Sequence, residues 1–210
     1  MSFMTLIREN TTTLHSAAER SGFIKRIIDG KASKDSYIEY LFNLSSMYEA
    51  IENSLNSNCN NEIVKNFVTP ELYRHELIKQ DLDFLVGDNS NNYTLLPSTV
   101  AFISRIKEIS VLSPELIVAY AYTRFIADLF GGRTFASLLS THYNVESEGL
   151  NYYNCDSIKD IRGYVMNYAQ KIDDMNLSEE MKQAFLNEVS NAYIYNLAIS
   201  NELEAKLYLN

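Results

Sequence analysis

The sequence has no tryptophan, two cysteines, three prolines and seven glycines in 210 residues. So little Gly and Pro excludes a collagen-like or low-complexity chain, and so little Cys excludes a disulfide scaffold. Cys59 and Cys155 form neither a CxxC pair nor a zinc spacing, so a reducing cytoplasm is expected. No apolar run approaches the roughly 20 residues of a membrane span. The opening MSFMTLIRE lacks the basic and apolar regions of a signal peptide. No membrane partner is expected. Positive charge is also scarce, 18 Lys and Arg against 27 Asp and Glu, for a net charge of −9. That balance argues against nucleic acid as a partner. The deficit is uneven. Residues 1–34 carry six basic side chains (Arg8, Arg20, Lys25, Arg26, Lys31, Lys34) against three acids. This basic third is either a solvated helical surface or a contact for an anionic ligand or an acidic protein.

What is present is helical periodicity. Tyr37, Tyr40, Leu41, Leu44, Met47, Tyr48, Ile51 and Leu55 recur at i, i+3, i+4, i+7, behind Ser33 as an N-cap. Thr69-Pro70 and Ser113-Pro114 each pair a capping residue with Pro at a first helical position, and Pro97 reads the same way. The spacing predicts helices over about 3–20, 23–28, from 33 onward, 70–86 (ending at Gly87), 97–110, 114–141, 157–174 and 178–208. Ser178 is a plausible cap, with Glu179 and Glu180 in the positive first turn. The Asn/Ser-rich stretch 53–61 reads as a loop. The expected architecture is all-α, a single domain over residues 1–210.

One helix carries an anomaly. Tyr120 to Ala136 reads as helical on both sides of Gly131-Gly132. Each Gly costs about 1 kcal/mol against Ala inside a helix, so a pair needs a reason. One reason is tight packing between helices. The other is a kink that lets something flat approach the backbone. Asp128 is nearly one turn before Gly131, on the same side, and Arg124 is its i−4 neighbour. A surface ion pair is the bland reading of those two, and buried hydrogen bonding is an equal alternative for Tyr122 and Arg124.

On the first helix, His15 sits in Leu14-His15-Ser16-Ala17-Ala18-Glu19. Small neighbours leave room beside the imidazole. Glu19 at i+4 is placed to hold one ring nitrogen and leave the other as a ligand. A lone histidine on a helix is more often structural. His75 and His142 read as surface or loop residues. No histidine follows a Glu at i−3, which excludes the paired Glu-x-x-His sites of diiron bundles. Neither cysteine has a paired base that would make it a nucleophile.

Together the two segments resemble the heme oxygenase family. Leu14–Glu19 is similar to its LHxxAE segment, and Ala121–Arg133 to its AYTRYLGDLSGGQ segment. Tyr48 and Glu52, Pro70–Arg74, Gln80–Phe84, Ala192–Asn196 and Asn201–Leu203 also match, in order, so the resemblance covers about residues 5–207. It implies a helical fold with heme b between a proximal helix and a kinked distal one. It also implies conversion of heme, with O2 and an external reductant, to biliverdin, Fe2+ and CO. His15 would then be the axial iron ligand, a neutral imidazole oriented by Glu19. Gly131 and Gly132 would let the distal backbone lie against the porphyrin. Asp128 would deliver protons through ordered water. Tyr48, Arg124 and Asn196 would belong to the surrounding polar network, with Asp81 a candidate partner for Arg124. Arg8 would sit near the heme propionates, and Tyr122, Tyr168 and Tyr193 match aromatic positions.

Ala127 and Phe130 stand where the family has Gly and Ser, which adds a methyl and a large apolar side chain to the distal helix. Two basic positions near the propionates are here Val165 and Ala169, with Lys171 or Arg162 as substitutes. These departures leave one alternative, a non-catalytic heme carrier or sensor on the same fold. The resemblance to soluble bacterial and cyanobacterial members implies ferredoxin, or another reductase, as electron donor. The basic N-terminal third would dock it. A bilin reductase is the candidate consumer of the product. Nothing in the sequence calls for an obligate oligomer, so a monomer is expected.

Overall fold

The computed structural model describes residues 1–86 and 93–209. Among the described residues there are α-helices, short 3-10 turns and no strand. The helices are α1 (Phe3–Arg20), α2 (Gly22–Ile28), α3 (Lys34–Ser57), α4 (His75–Val86), α5 (Pro97–Leu112), α6 (Ile117–Tyr143), α7 (Ile161–Asp173) and α8 (Glu179–Tyr208). Helix α8 is the spine, packed against α1, α2, α5 and α6, while α3 packs on α4, α5 and α6. A continuous core joins them. Leu41, Ile51, Phe102, Ile106, Tyr120, Phe185 and Val189 are all fully buried. Each such side chain contributes roughly 1.5–3 kcal/mol.

Local chemistry sets the helix starts. Ser2 caps α1 by accepting the Thr5 N–H. Ser33 and Ser36 form a reciprocal capping box at α3. Ser178 caps α8 by accepting the Met181 N–H, as expected. The corner between α1 and α2 depends on Gly22, whose φ of +57° is left-handed. A Cβ there would stand 2.7 Å from the Ser200 backbone on α8. Only glycine fits both the dihedral and the space.

Four sequence readings need correction. The 70–86 helix is broken: Pro70–Leu72 is a 3-10 turn, and α4 begins at His75. The cause lies outside the segment. Glu52 of α3 accepts the backbone N–H of Arg74 at 2.6 Å and of His75 at 3.0 Å, and so caps α4 from a neighbouring helix. His75 is accordingly mostly buried, with Nδ1 3.0 Å from the Ser45 carbonyl. The expected end at Gly87 lies outside the described residues. The 53–61 loop is shorter, because α3 keeps its hydrogen bonding to Ser57. The 114–141 and 157–174 helices begin late, at Ile117 and Ile161. Pro114–Leu116 is a 3-10 turn, and Asp160 is the true N-cap of α7, accepting the Gly163 N–H.

One buried carboxylate ties three helices. Glu188 of α8 accepts from Arg105 of α5 and, at 2.7 Å, from Tyr120 of α6. Burial pushes its pKa up, but the Arg105 and Tyr120 hydrogen bonds outweigh burial and hold it below the usual carboxylate value. A group depressed on folding stabilises the protein above its unfolded pKa and stops doing so as pH falls through the folded value. Glu188→Ala should therefore cost about 2 kcal/mol at neutral pH, because it leaves the Tyr120 hydroxyl unpaired and Arg105 with Glu108 alone. The loss should shrink as acid protonates the wild-type carboxylate. Urea unfolding at pH 7 and pH 4 checks both points.

Candidate active site

A cavity lies between α1 and α6, with the middle of α8 and the 3-10 turn Asn151–Tyr153 closing one side. Helix α1 presents Met4, Arg8, His15 and Glu19 along one stripe, which follows from helical spacing. Helix α6 presents Thr123, Ala127 and Gly131, successive i+4 neighbours. Two adjoining lobes share His15, Glu19, Thr123, Ala127, Gly131 and Tyr193. The cavity volume is about 190 Å³ in the first lobe and about 520 Å³ in the second, and together they are of the size of a small-molecule site.

His15 is half-exposed into this cavity. Its Nδ1 faces Glu19 Oε1 at 3.7 Å, and its ring meets Tyr193 edge-on. That leaves Nε2 turned away from the carboxylate, the nitrogen able to ligate a metal. Across the first lobe lies a closed polar network. Tyr48 of α3 donates to Asp128 Oδ2, and Arg124 donates from Nε to the Tyr48 hydroxyl at 3.2 Å and from Nη1 to Asn196 Oδ1 at 3.2 Å. Arg124 and Asp128 also stand 3.9 Å apart, both nearly buried rather than paired on the surface. Burial pushes the Tyr48 phenol well up, so it stays protonated and donates. Burial works against the Arg124 charge, but the surrounding phenol and carboxylate oxygens outweigh it.

The glycine pair divides into two cases. Helix α6 stays hydrogen-bonded through it. A Cβ on Gly132 would touch Tyr153 at 3.7 Å, an ordinary contact. A Cβ on Gly131 would meet nothing within 4 Å. Packing between helices therefore does not require Gly131. Its bare backbone faces the cavity, as a site for a flat ligand would need.

The second lobe is lined by Arg8, Tyr122, Phe130, Val165, Tyr168 and Ala169, among others. Burial raises the Tyr122 phenol, and the nearby Arg8 charge works against that rise. Tyr168 lines this lobe, and its buried hydroxyl has no hydrogen-bond partner among the described residues. Phe130 is 65% exposed at the rim.

Two expected residues are not where the sequence reading placed them. Lys171 donates to the Asn66 carbonyl at 3.0 Å and does not line either lobe. Positions 165, 168 and 169 share one face of α7, and 171 lies about 200° around the helix from 169. Asp81 does not reach Arg124. It is fully buried and accepts the Asn151 and Tyr152 N–H groups at 2.7 and 2.8 Å. Residues the sequence reading missed are Tyr152, which bonds Asp128 and Arg124, and Tyr40, Tyr153 and Phe135, which line the first lobe. Tyr152-Tyr153 is an aromatic pair between two helices with no periodicity to place it. Only its aromatic density was a signal.

Comparison with known proteins bears directly on this cavity. The model of the family described as heme oxygenase matches residues 1–202. Heme oxygenase 1 of Synechocystis is 30% identical over 202 residues, which cover 96% of this chain and 84% of that one. Heme oxygenase of the alga Rhodella violacea is 32% identical, over 95% of this chain and 86% of its own. Among solved structures, heme oxygenase-1 from Synechocystis in complex with heme superimposes with a TM-score of 0.91 at 28% identity, covering 99% of this chain and 94% of that one. Heme oxygenase from Leptospira interrogans gives 0.90 at 33% identity, covering 96% and 100%. The match runs through both helices that wall the cavity and through the turn that closes it, and on that ground the chain belongs to the heme oxygenase family.

Proposed function

We propose that the protein opens heme b oxidatively, yielding biliverdin, Fe2+ and CO with O2 and electrons from a ferredoxin or another reductase. The observation that carries this reading is the pairing of His15 with the Asp128 network in one lobe, beneath a glycine that no neighbour requires. When bound, heme is both the substrate and the centre at which O2 is activated.

The chain's own residues have separable tasks. His15 binds the iron through Nε2, and Glu19 sets the ring from the Nδ1 side. Arg8, with the Tyr122 and Tyr168 hydroxyls, receives the carboxylates of the porphyrin edge. Gly131 admits the flat ring against α6. Asp128 holds a carboxylate in the cavity and moves protons at its oxygens through water, while Tyr48, Arg124 and Asn196 keep it oriented. Tyr193 closes the proximal side against the imidazole.

The test is an absorbance time course. Purified protein with one equivalent of hemin, ferredoxin, its reductase, NADPH and catalase in air should lose its Soret band as extractable biliverdin appears. Asp128→Ala should slow this by about 100-fold. A Soret band that persists while a known heme oxygenase turns over would establish the carrier or sensor alternative, which Ala127 and Phe130 would then explain.

The donor-binding surface is the basic N-terminal region, although part of its charge is answered within the protein. Arg26 pairs with Glu204, and Lys25 with Asp29. Lys31 also lies 3.6 Å from Asp29, while Arg8, Arg20 and Lys34 remain exposed. Docking led by these charges should weaken with salt. Raising ionic strength from 20 to about 300 mM should lift the KM for ferredoxin several-fold. A KM that stays constant sinks this surface as the docking site. No helix of the described residues is long and apolar enough to cross a membrane. A cytoplasmic monomer that hands its product to a bilin reductase is the simplest setting for this activity.

A further inference from the structure

We propose that Tyr152 is a positioning residue for Asp128, a second phenol built into the site by the buried Asp81. The inference rests on the reading of Asp128 above and deepens it.

The geometry is closed. Tyr48 donates to Oδ2 of Asp128, and Tyr152 donates to Oδ1 at 2.8 Å. Arg124 in turn donates from Nε to Tyr48 at 3.2 Å and from Nη2 to Tyr152 at 3.1 Å. Each phenol oxygen thus accepts a guanidinium N–H and sends its own proton to the carboxylate. The two hydroxyl oxygens also lie 3.0 Å apart, within hydrogen-bond distance of each other, and each reaches a separate oxygen of Asp128. Burial pushes both phenols well above their ordinary range, so both stay protonated. An aspartate side chain turns easily about its last torsion, which is broad and nearly two-fold. One donor leaves that rotor loose. Two donors, one per oxygen, lock it.

Tyr152 needs support to do this, because it sits on the three-residue turn Asn151–Tyr153 rather than on a helix. Asp81 supplies the support. It is fully buried on α4, and both its oxygens accept from the turn: Oδ1 from the Asn151 N–H and side-chain amide, Oδ2 from the Tyr152 N–H. A buried carboxylate is costly unless hydrogen-bonded. These bonds all hold the backbone that carries the phenol. The path runs from α4 through the turn to α6, and it explains Asp81 without any contact to Arg124.

The experiment compares Tyr152→Phe, Asp128→Ala, the double variant and Asp81→Asn. Tyr152→Phe keeps the ring in its contacts with Tyr48 and Tyr153. One-to-one hemin binding and an unchanged melting curve show the pocket is intact. Two quantities are measured: the turnover rate and the pH midpoint of the visible spectral change of the ferric heme complex. Without the Tyr152 proton, the Asp128 charge is less shielded and disfavours a second negative charge nearby. Tyr152→Phe should raise the midpoint by about half a pH unit or more and slow turnover by about tenfold. Asp81→Asn should move the midpoint in the same direction, by less. The other titratable groups facing this lobe are His15, Glu19, Tyr40, Tyr153 and Tyr193, and no variant alters them.

In the Asp128→Ala background, Tyr152→Phe should change both quantities by less than about twofold, because its effect runs through Asp128. Effects that multiply in the double variant, or wild-type values in Tyr152→Phe alone, overturn the proposal. Wild-type turnover by Asp128→Ala overturns instead the reading of Asp128 as proton carrier. The midpoint shift, present in Tyr152→Phe and absent from the double variant, would still report the positioning.

Discussion

His15→Ala protein is expected to bind hemin without the axial imidazole signature and to turn over at least about 100-fold more slowly, a loss near 2.7 kcal/mol of transition-state stabilisation. The fold should not notice. The side chain is 52% exposed, and its contacts are an edge-on ring and a carboxylate at 3.7 Å. Surface changes of that kind fall within about 0.5 kcal/mol. An unchanged melting temperature with lost turnover therefore separates ligation from folding. A second arm makes the ligand role specific. The truncated side chain leaves a hole beside Ala18 and Tyr193 that opens into the cavity. Added imidazole should enter it and restore the spectrum and part of the rate. Full turnover without imidazole would mean that another residue ligates, and the proximal assignment would fall.

Gly131 yields the second large effect, and its sign is unusual. Replacing a mid-helix glycine by alanine removes backbone entropy from the unfolded chain and improves helix propensity, which together stabilise by up to about 1 kcal/mol where space allows. Space allows it here, since a Cβ meets nothing within 4 Å. The protein without heme should thus melt a few degrees higher as Gly131→Ala. Heme binding should move the other way, because the new methyl occupies the face that the ring needs. Gly131→Leu should extend the trend, with affinity for hemin falling by on the order of 100-fold while the helix stays intact. Gly22→Ala is the control of opposite sign. Its left-handed φ and its 2.7 Å approach to Ser200 leave no room, so it should destabilise the fold. Hemin titration and thermal melting on the three variants decide the matter. A Gly131→Ala protein that binds hemin as tightly as wild type would show that the bare backbone serves something other than the ligand.

Much of this site could be read along the chain because its parts are helical. His15 and Glu19 are one turn apart, and Arg124, Asp128 and Gly131 share a helix face, so spacing alone brings each set together. Helix ends were harder. The start of α4 is set by Glu52, a carboxylate on another helix, which no local pattern around Thr69-Pro70 reveals. Lys171 was misplaced for a simpler reason. It lies two residues beyond Ala169, and that much helical rotation turns its side chain to the Asn66 carbonyl.

By itself the sequence determined the helical class, the spacing that sets His15 beside Glu19, and the shared face of Arg124, Asp128 and Gly131 on α6. These follow from 3.6-residue periodicity, a property of consecutive residues. Only the tertiary structure decided that Gly131 faces open space while Gly132 faces Tyr153, since both look alike in the chain. Only the tertiary structure brought Tyr152 to Asp128. The turn that carries it has no repeating pattern, and its place is set by Asp81, 70 residues earlier in the chain, whose burial is affordable only because the turn's N–H groups meet it there.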